Sequence, residues 1–183
     1  TAGKNGCKIV VLDPGHGGHD TGAIGKRRVF EKKVALDIAK RTKKKLNDAG
    51  GSVFMTRTTD EFISLQQRAV LAKKKGGDMF VSIHINSAAS RSAKGAETYV
   101  LASPGHSSTA GNKSSKRYPA NKYDSASTIL GYFVQKGLLT QTKTKDRGIR
   151  RARFEVLKYA ESPAVLVECG FVSNKTEEAN FIS

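Results

Sequence analysis

Tryptophan is absent from the 183 residues, and cysteine occurs only twice. Cys7 and Cys169 fit neither a disulfide framework nor the paired spacing of a zinc finger. One precedes a first strand and the other lies near the end of a late one; if those strands are parallel, the thiols fall at opposite ends of a sheet, too far apart to bridge. No apolar run approaches the roughly 18 residues of a membrane span, and Thr1-Ala2-Gly3-Lys4-Asn5-Gly6 has neither an initiator methionine nor an apolar signal core. Internal repeats and domain linkers are missing as well. With 38% hydrophobic residues, this length points to one domain over residues 1–183, its residues 1–7 a flexible N-terminal remnant. We expect a monomer.

Acidic residues are scarce too: 16 stand against 32 lysines and arginines, a formal net charge of +16. Such a field attracts polyanions. The chain lacks zinc-finger spacing and an aromatic sheet signature, which argues against specific nucleic-acid recognition. Anionic membrane surfaces and cell-envelope polymers remain, while many lysines fall on solvated helix faces where they serve solubility.

What is present alternates between strand and helix patterns. Ile9 to Leu12 reads as a short buried strand, and the Pro14-Gly15 break throws His16 out at its carboxyl end between glycines. From Glu31 to Leu46, Val34, Ala35, Ile38, Ala39, Thr42 and Leu46 recur at helical spacing opposite a lysine-rich side. Ser52 to Thr56 predicts a second strand, Ser64 caps a helix carrying Leu65, Ala69 and Ala72, and Met79 to Ile85 is the clearest strand of all. Ala96 to Leu101 predicts another strand. Ser103 to Tyr118 reads as a flexible loop, and a helix begins at Asp124 or Ser125. Lys143 to Arg153 is crowded with cations, Phe154 to Leu157 reads as a short strand, and Ala164 to Phe171 is an apolar strand interrupted by Glu168. An amphipathic piece from Lys175 to Ile182 looks cut short. The expected fold is α/β: a mainly parallel, twisted sheet of about six strands with helices on both faces.

On that fold His16, His84 and Glu168 converge on the carboxyl edge of the sheet, where open α/β sheets keep their sites. Glu31 opens the helix that follows the His16 loop, so it faces the same edge. Two imidazoles and a carboxylate form the ligand set of a catalytic zinc with an open position, and a second carboxylate suits a general base. The residues are far apart in sequence, and the pattern alone leaves open a chance convergence, with His16 merely hydrogen-bonded in its turn. Asp13 either orients His16 or, as we favour, holds the Pro-Gly turn. His19 and His106 read as ordinary surface histidines, and Cys169 points to the sheet face opposite Glu168.

The segments Leu12-Asp13-Pro14-Gly15-His16-Gly17-Gly18, Phe30-Glu31-Lys32, Leu65 with Arg68 and Ala72, Ser82-Ile83-His84-Ile85-Asn86, and Pro163 with Val167-Glu168-Cys169-Gly170-Phe171-Val172-Ser173-Asn174 come in this order over nearly the whole chain. In that order they resemble the successive motifs of the zinc-dependent N-acetylmuramoyl-L-alanine amidases of bacterial cell separation, spore and phage lysis. The resemblance implies a peptidoglycan hydrolase acting in the periplasm, the cell wall or outside the cell, with Zn2+ held by His16, Glu31 and His84 and with Glu168 as the catalytic glutamate. It also matches Arg147, which would meet a stem-peptide carboxylate or stand as a solvated charge. A zinc peptidase cutting within the stem peptide and a non-catalytic binder of polyanions or cell wall are the alternatives. Some members of that family that split daughter cells cover the metal with a long insertion after the helix matching Asp124 to Leu139. Here Thr140 to Arg153 is short and polar, and we expect an open site.

Overall fold

A computed structural model describes residues 8–109 and 111–182. Cys7, and with it the expected N-terminal remnant and the separation of the two thiols, lies outside the described residues. The elements run β1 (Ile9–Pro14), α1 (Glu31–Asp48), β2 (Ser52–Met55), α2 (Leu65–Lys74), β3 (Met79–Asn86), β4 (Ala96–Leu101), a 3-10 turn (Pro119–Tyr123), α3 (Asp124–Thr142), β5 (Asp146–Ala152), α4 (Glu155–Lys158), β6 (Ala164–Phe171) and α5 (Lys175–Asn180). They build one six-stranded sheet in the order β2-β1-β3-β6-β4-β5. The first four strands of that order are mutually parallel, β4 is antiparallel to β6, and β5 is parallel to β4. The link from β3 to β4, residues 87–95, is shorter than the dozen or so residues a parallel crossover requires, so β4 returns in the opposite sense.

Alternation along each strand sends neighbouring side chains to opposite faces. Leu12 and Ile83 meet Ala35 and Ala39 of α1, and Val100, Val165 and Val167 meet Leu130, Val134 and Leu138 of α3. On the other face Val11, Phe80, Leu101 and Leu166 pack with Ala72 of α2 and Val156 and Leu157 of α4. Helices thus cover both faces, as the alternation of elements predicts. Ser64 caps α2 through a reciprocal box with Gln67, and Asn174 caps α5 by accepting from Thr176 N and Glu177 N.

Three expectations change. Phe154 to Leu157 is not a strand; the chain enters the single turn of α4 there, and the strand is the cation-rich stretch before it, β5. Four consecutive residues of this kind suit either a strand or a buried helical turn, and the arginines that look like a solvated run belong to an edge strand, where charge discourages further pairing. The described residues of 103–118 are irregular but tied down. The Arg153 guanidinium donates to the carbonyls of Ser103, His106, Asn112 and Ser114, and Thr109 N donates to Arg151 O. The last helix ends at Asn180, with Phe181 as its cap residue.

Candidate active site

Three adjacent strands carry the centre of the site in one row. His84 on β3 is the register partner of Glu168 on β6, and Glu168 is in turn the partner of Glu97 on β4. Beyond this row the β3–β6 register shifts, with Asn86 opposite Phe171, a bulge of the kind that re-aims side chains at sheet edges. His16 reaches the row from the loop after β1 and Glu31 from the first turn of α1. Ligand atoms of His16, Glu31 and His84 all lie within 4.8 Å of one another. Glu31 Oε1 is 3.1 Å from His16 Nε2 and 2.9 Å from His84 Nδ1. Metal–ligand bonds of about 2 Å at tetrahedral angles put donor atoms about 3.3 Å apart, so this set fits a four-coordinate divalent cation with room for a further ligand.

The loop that carries His16 is held by two buried arginines. Arg57 and Arg68 are only 1% and 2% exposed. Arg57 donates to the carbonyls of Pro14, Gly15, Lys32 and Thr59, and Arg68 to those of Pro14, His16 and Ile63. Arg68 Nη1 also pairs with Asp13 Oδ1 at 2.8 Å, and Thr56 and Ser82 hydroxyls donate to the same carboxylate. Asp13 therefore touches neither the His16 ring nor only its own turn; it compensates a buried guanidinium that fixes the His16 carbonyl. The residue that orients the ring is Asp20, 2.8 Å from His16 Nδ1, which leaves Nε2 for the centre. His16 itself takes a left-handed conformation, φ 58°, the kind of backbone strain that clusters at functional sites. Gly15 permits the approach of His84: a Cβ there would stand 2.5 Å from His84 Nε2.

Electrostatics divide the two carboxylates. Burial raises the Glu31 pKa, but hydrogen bonds and charge from His16 and His84 outweigh it and hold the carboxyl well below the usual range. Ala23 N and Ile85 N donate to it as well. Burial works against protonation of His16, yet Glu31 and Asp20 raise its pKa above the ordinary value. Glu168 goes the other way: burial, then the charges of Glu31 and Glu97, push it well above the usual carboxylate range. Its Oε2 is sealed from solvent without a hydrogen-bond partner. A buried oxygen left unpaired in this way is costly unless something meets it during function.

Glu97 is 2% exposed and fully engaged. It accepts from Asn86 Nδ2, Tyr99 Oη and Arg147 Nε, and Arg150 Nε lies 2.9 Å from the same oxygen as Arg147, off the hydrogen-bond direction. Arg147 thus donates through Nε to Glu97 and lies over the Phe171 ring, 4.8 Å from its centroid. His19 lies against Phe62, and exposed His106 approaches Pro104 O; neither joins the cluster. Cys169 packs among the residues under α1 and α3, on the opposite face from Glu168, and burial pushes its thiol up to about 12. Asp20, Arg57 and Glu97 carry no mark in the sequence reading. Arg68 stands in the sequence as part of the motif with Leu65 and Ala72, a cation at a position that a helix turns inward.

A cavity of about 280 Å³ opens over the centre, lined by His16, Glu31, His84 and Glu168 and walled by Leu65, Phe154, Glu155 and Val156. A larger space of about 850 Å³ between α1 and α3 has only Lys136 and Cys169 as titratable lining and no imidazole or carboxylate. Chemistry, not size, distinguishes the two.

Known proteins resemble this chain in sequence and fold. LytC of Bacillus subtilis, an N-acetylmuramoyl-L-alanine amidase, is 39% identical over 170 residues, covering 93% of this chain and 30% of its own length. AmiC of Escherichia coli O6:H1, another, is 35% identical over 202 residues, covering 97% of this chain and 48% of its own. The chain thus spans less than half the length of either curated relative. The crystal structure of an N-acetylmuramoyl-L-alanine amidase from Clostridium difficile 630 superposes with a TM-score of 0.83 at 36% identity, over 97% of this chain and 87% of that one. The family model described as N-acetylmuramoyl-L-alanine amidase matches residues 10–183, and with both histidines, Glu31 and Glu168 inside that span, the chain belongs to the N-acetylmuramoyl-L-alanine amidase family.

Proposed function

We propose that the chain hydrolyses the amide between the lactyl group of N-acetylmuramic acid and the L-alanine of the stem peptide in peptidoglycan, outside the cytoplasmic membrane, with zinc as its cofactor. The observation that carries this reading is an unpaired carboxylate, Glu168, in one register row with a His-Glu-His donor set. His16, Glu31 and His84 would hold the ion. Zinc in that set would supply Lewis-acid polarisation of the scissile carbonyl and lower the pKa of a water toward about 7.

The protein's own residues do the rest. Asp20 fixes the His16 tautomer so that Nε2 faces the centre, and Ala23 N and Ile85 N orient the Glu31 carboxylate. Glu168 accepts a proton from the water that attacks the carbonyl carbon and passes it to the alanine nitrogen as the C–N bond breaks. Without that delivery the adduct would expel water again rather than an amine. Burial beside Glu31 and Glu97 suits the second half of this task, because a carboxyl with a raised pKa is a competent acid near neutrality.

Purified sacculi incubated with the chain and zinc should release free stem peptides that begin with L-alanine, identified by mass spectrometry. Fragments cut inside the peptide would replace this reading with a peptidase. Glu168→Gln should lower the rate by about a hundredfold or more while zinc content after dialysis stays unchanged. Loss of metal in that variant would instead make Glu168 a ligand and reverse the roles of the two glutamates.

A further inference from the structure

Among the described residues that line the cavity there is no lysine or arginine, although the chain has 32. Arg147 and Arg150 face Glu97, and Lys158 Nζ donates to Glu155 Oε2 at 2.7 Å. Glu155 lines the cavity itself, with its side chain 32% exposed. Lys158 holds only one of its oxygens, and among the described residues nothing donates to Oε1.

The lining of the cavity says which part of a substrate Glu155 meets. His16, Glu31 and His84 line the cavity together with Glu168, and Glu155 and Val156 of α4 line it too, α4 packing against β4, β6 and α2. On the amidase reading, Glu168 delivers its proton to the leaving nitrogen. On that reading the peptide beyond that nitrogen lies along the cavity wall that α4 supplies, with Leu65 and Val156 as its apolar part. In peptidoglycan the residue after the alanine is a glutamyl unit joined through its side chain, and its α-carboxyl group is either a free carboxylate or a carboxamide. That group stands five bonds from the leaving nitrogen, within about 6–7 Å of it.

We propose that Glu155 makes this site select against a free α-carboxylate on the residue that follows the alanine, so that stem peptides with a carboxamide there are cut faster. A carboxamide N–H donates to Glu155 Oε1. A carboxylate meets like charge on a cavity wall that offers it no lysine or arginine, a repulsive element of the kind that builds specificity. Lys158 tempers the effect by neutralising part of the Glu155 charge. This inference rests on the amidase reading and adds its substrate class.

The experiment compares kcat/KM for N-acetylmuramoyl-L-alanyl-D-isoglutamine and N-acetylmuramoyl-L-alanyl-D-glutamate, with calorimetric binding of the two released dipeptides as a second readout. The wild type should favour the carboxamide by about tenfold. Glu155→Gln should bring the ratio near one, mainly by improving the carboxylate substrate, whereas Lys158→Met should widen it. A merely structural role would lower both substrates together. Equal rates in the wild type, a preference for the carboxylate, or an unchanged ratio in Glu155→Gln overturns the inference while leaving the amidase reading intact. If sacculi are digested but neither small substrate is, the dipeptide affinities decide in the same way. If sacculi too remain intact, the amidase reading falls and this inference falls with it.

Discussion

The cavity at the strand ends is lined by Glu31, Glu155 and Glu168 with two imidazoles and no lysine or arginine, whereas the outer face of α1 alone exposes Lys33, Lys40, Arg41, Lys44 and Lys45. Between the two lies a third layer, in which Arg57 and Arg68 are buried and bound to carbonyls and a carboxylate. A cation in the outer layer acts through a field that salt screens, while one in the buried layer acts through geometry that salt hardly touches. The cavity, free of both, keeps its carboxylates available for protons, metal and substrate. The same side-chain chemistry thus has consequences of very different size according to depth.

The largest effects are expected at the centre. His16→Ala or His84→Ala should abolish both zinc retention and turnover, since a three-ligand site has no spare donor. Metal analysis after dialysis, beside turnover on sacculi, measures the two together. Turnover that survives a strong chelator would break the contrast at its root, because the cavity's donor set would then have no metal to hold.

One layer out, Arg68→Met should cost about 3–5 kcal/mol of stability, because it leaves Asp13 buried without its cation and frees the His16 loop carbonyls. Thr56 and Ser82 still donate to Asp13, which keeps the loss from being larger. At the surface, Lys44→Ala removes an ion pair to Asp48 whose side chains are 77% and 59% exposed, and it should stay within about 0.5 kcal/mol. Urea unfolding of both variants tests the ratio. Similar losses would mean that depth does not govern what a charge contributes here.

Smaller again is the effect of salt. Binding to isolated cell wall should weaken several-fold as ionic strength approaches the physiological range, where charges are screened beyond about 8–10 Å. Turnover of a soluble muramoyl peptide should move little over the same range. Sedimentation of the protein with wall material, run beside that turnover assay, separates the two; wall binding indifferent to salt would assign retention to a specific pocket instead of the +16 field.

Depth also decides how much of this was legible in the sequence. The strand that ends at Pro14, the stripe of α1 and the apolar run before Glu168 carry their periodicities openly, so the fold class and the four central residues follow from pattern and family motifs. Glu97 does not, because β4 is buried on all six of its residues and the charge of an internal carboxylate there is compensated by arginines about fifty residues later, on β5. Those arginines in turn look like a solvated charge run until the strand that aligns them is known. Asp20 is a short-range partner of His16 only because His16 adopts a left-handed backbone, which no periodicity announces. Partners that meet through folding alone leave no local trace, and the site's supporting layer is made almost wholly of such partners.

The smallest expected effect is that of adding an activator: none. A plug over the centre would need a segment long enough to form a helix and apolar enough to dock. α3 ends at Thr142 and β5 begins at Asp146, so residues 143–145 are the whole connection, even shorter than the sequence reading allowed. Lys143 ends the helix in a left-handed conformation, which turns the chain straight into β5. The remaining candidate for a lid, residues 103–118, is fastened by Arg153 through four carbonyls, and Phe154 beside that arginine already lines the cavity wall. The isolated chain with zinc should therefore release soluble fragments from sacculi at its full rate, and extracts containing envelope proteins should not accelerate it beyond their own activity. Silence of the chain alone, relieved by a partner, would show that something other than a plug in this connection closes the site. Arg153→Met, which loosens the 103–118 segment without touching the donor set, should then change substrate affinity while zinc content stays the same.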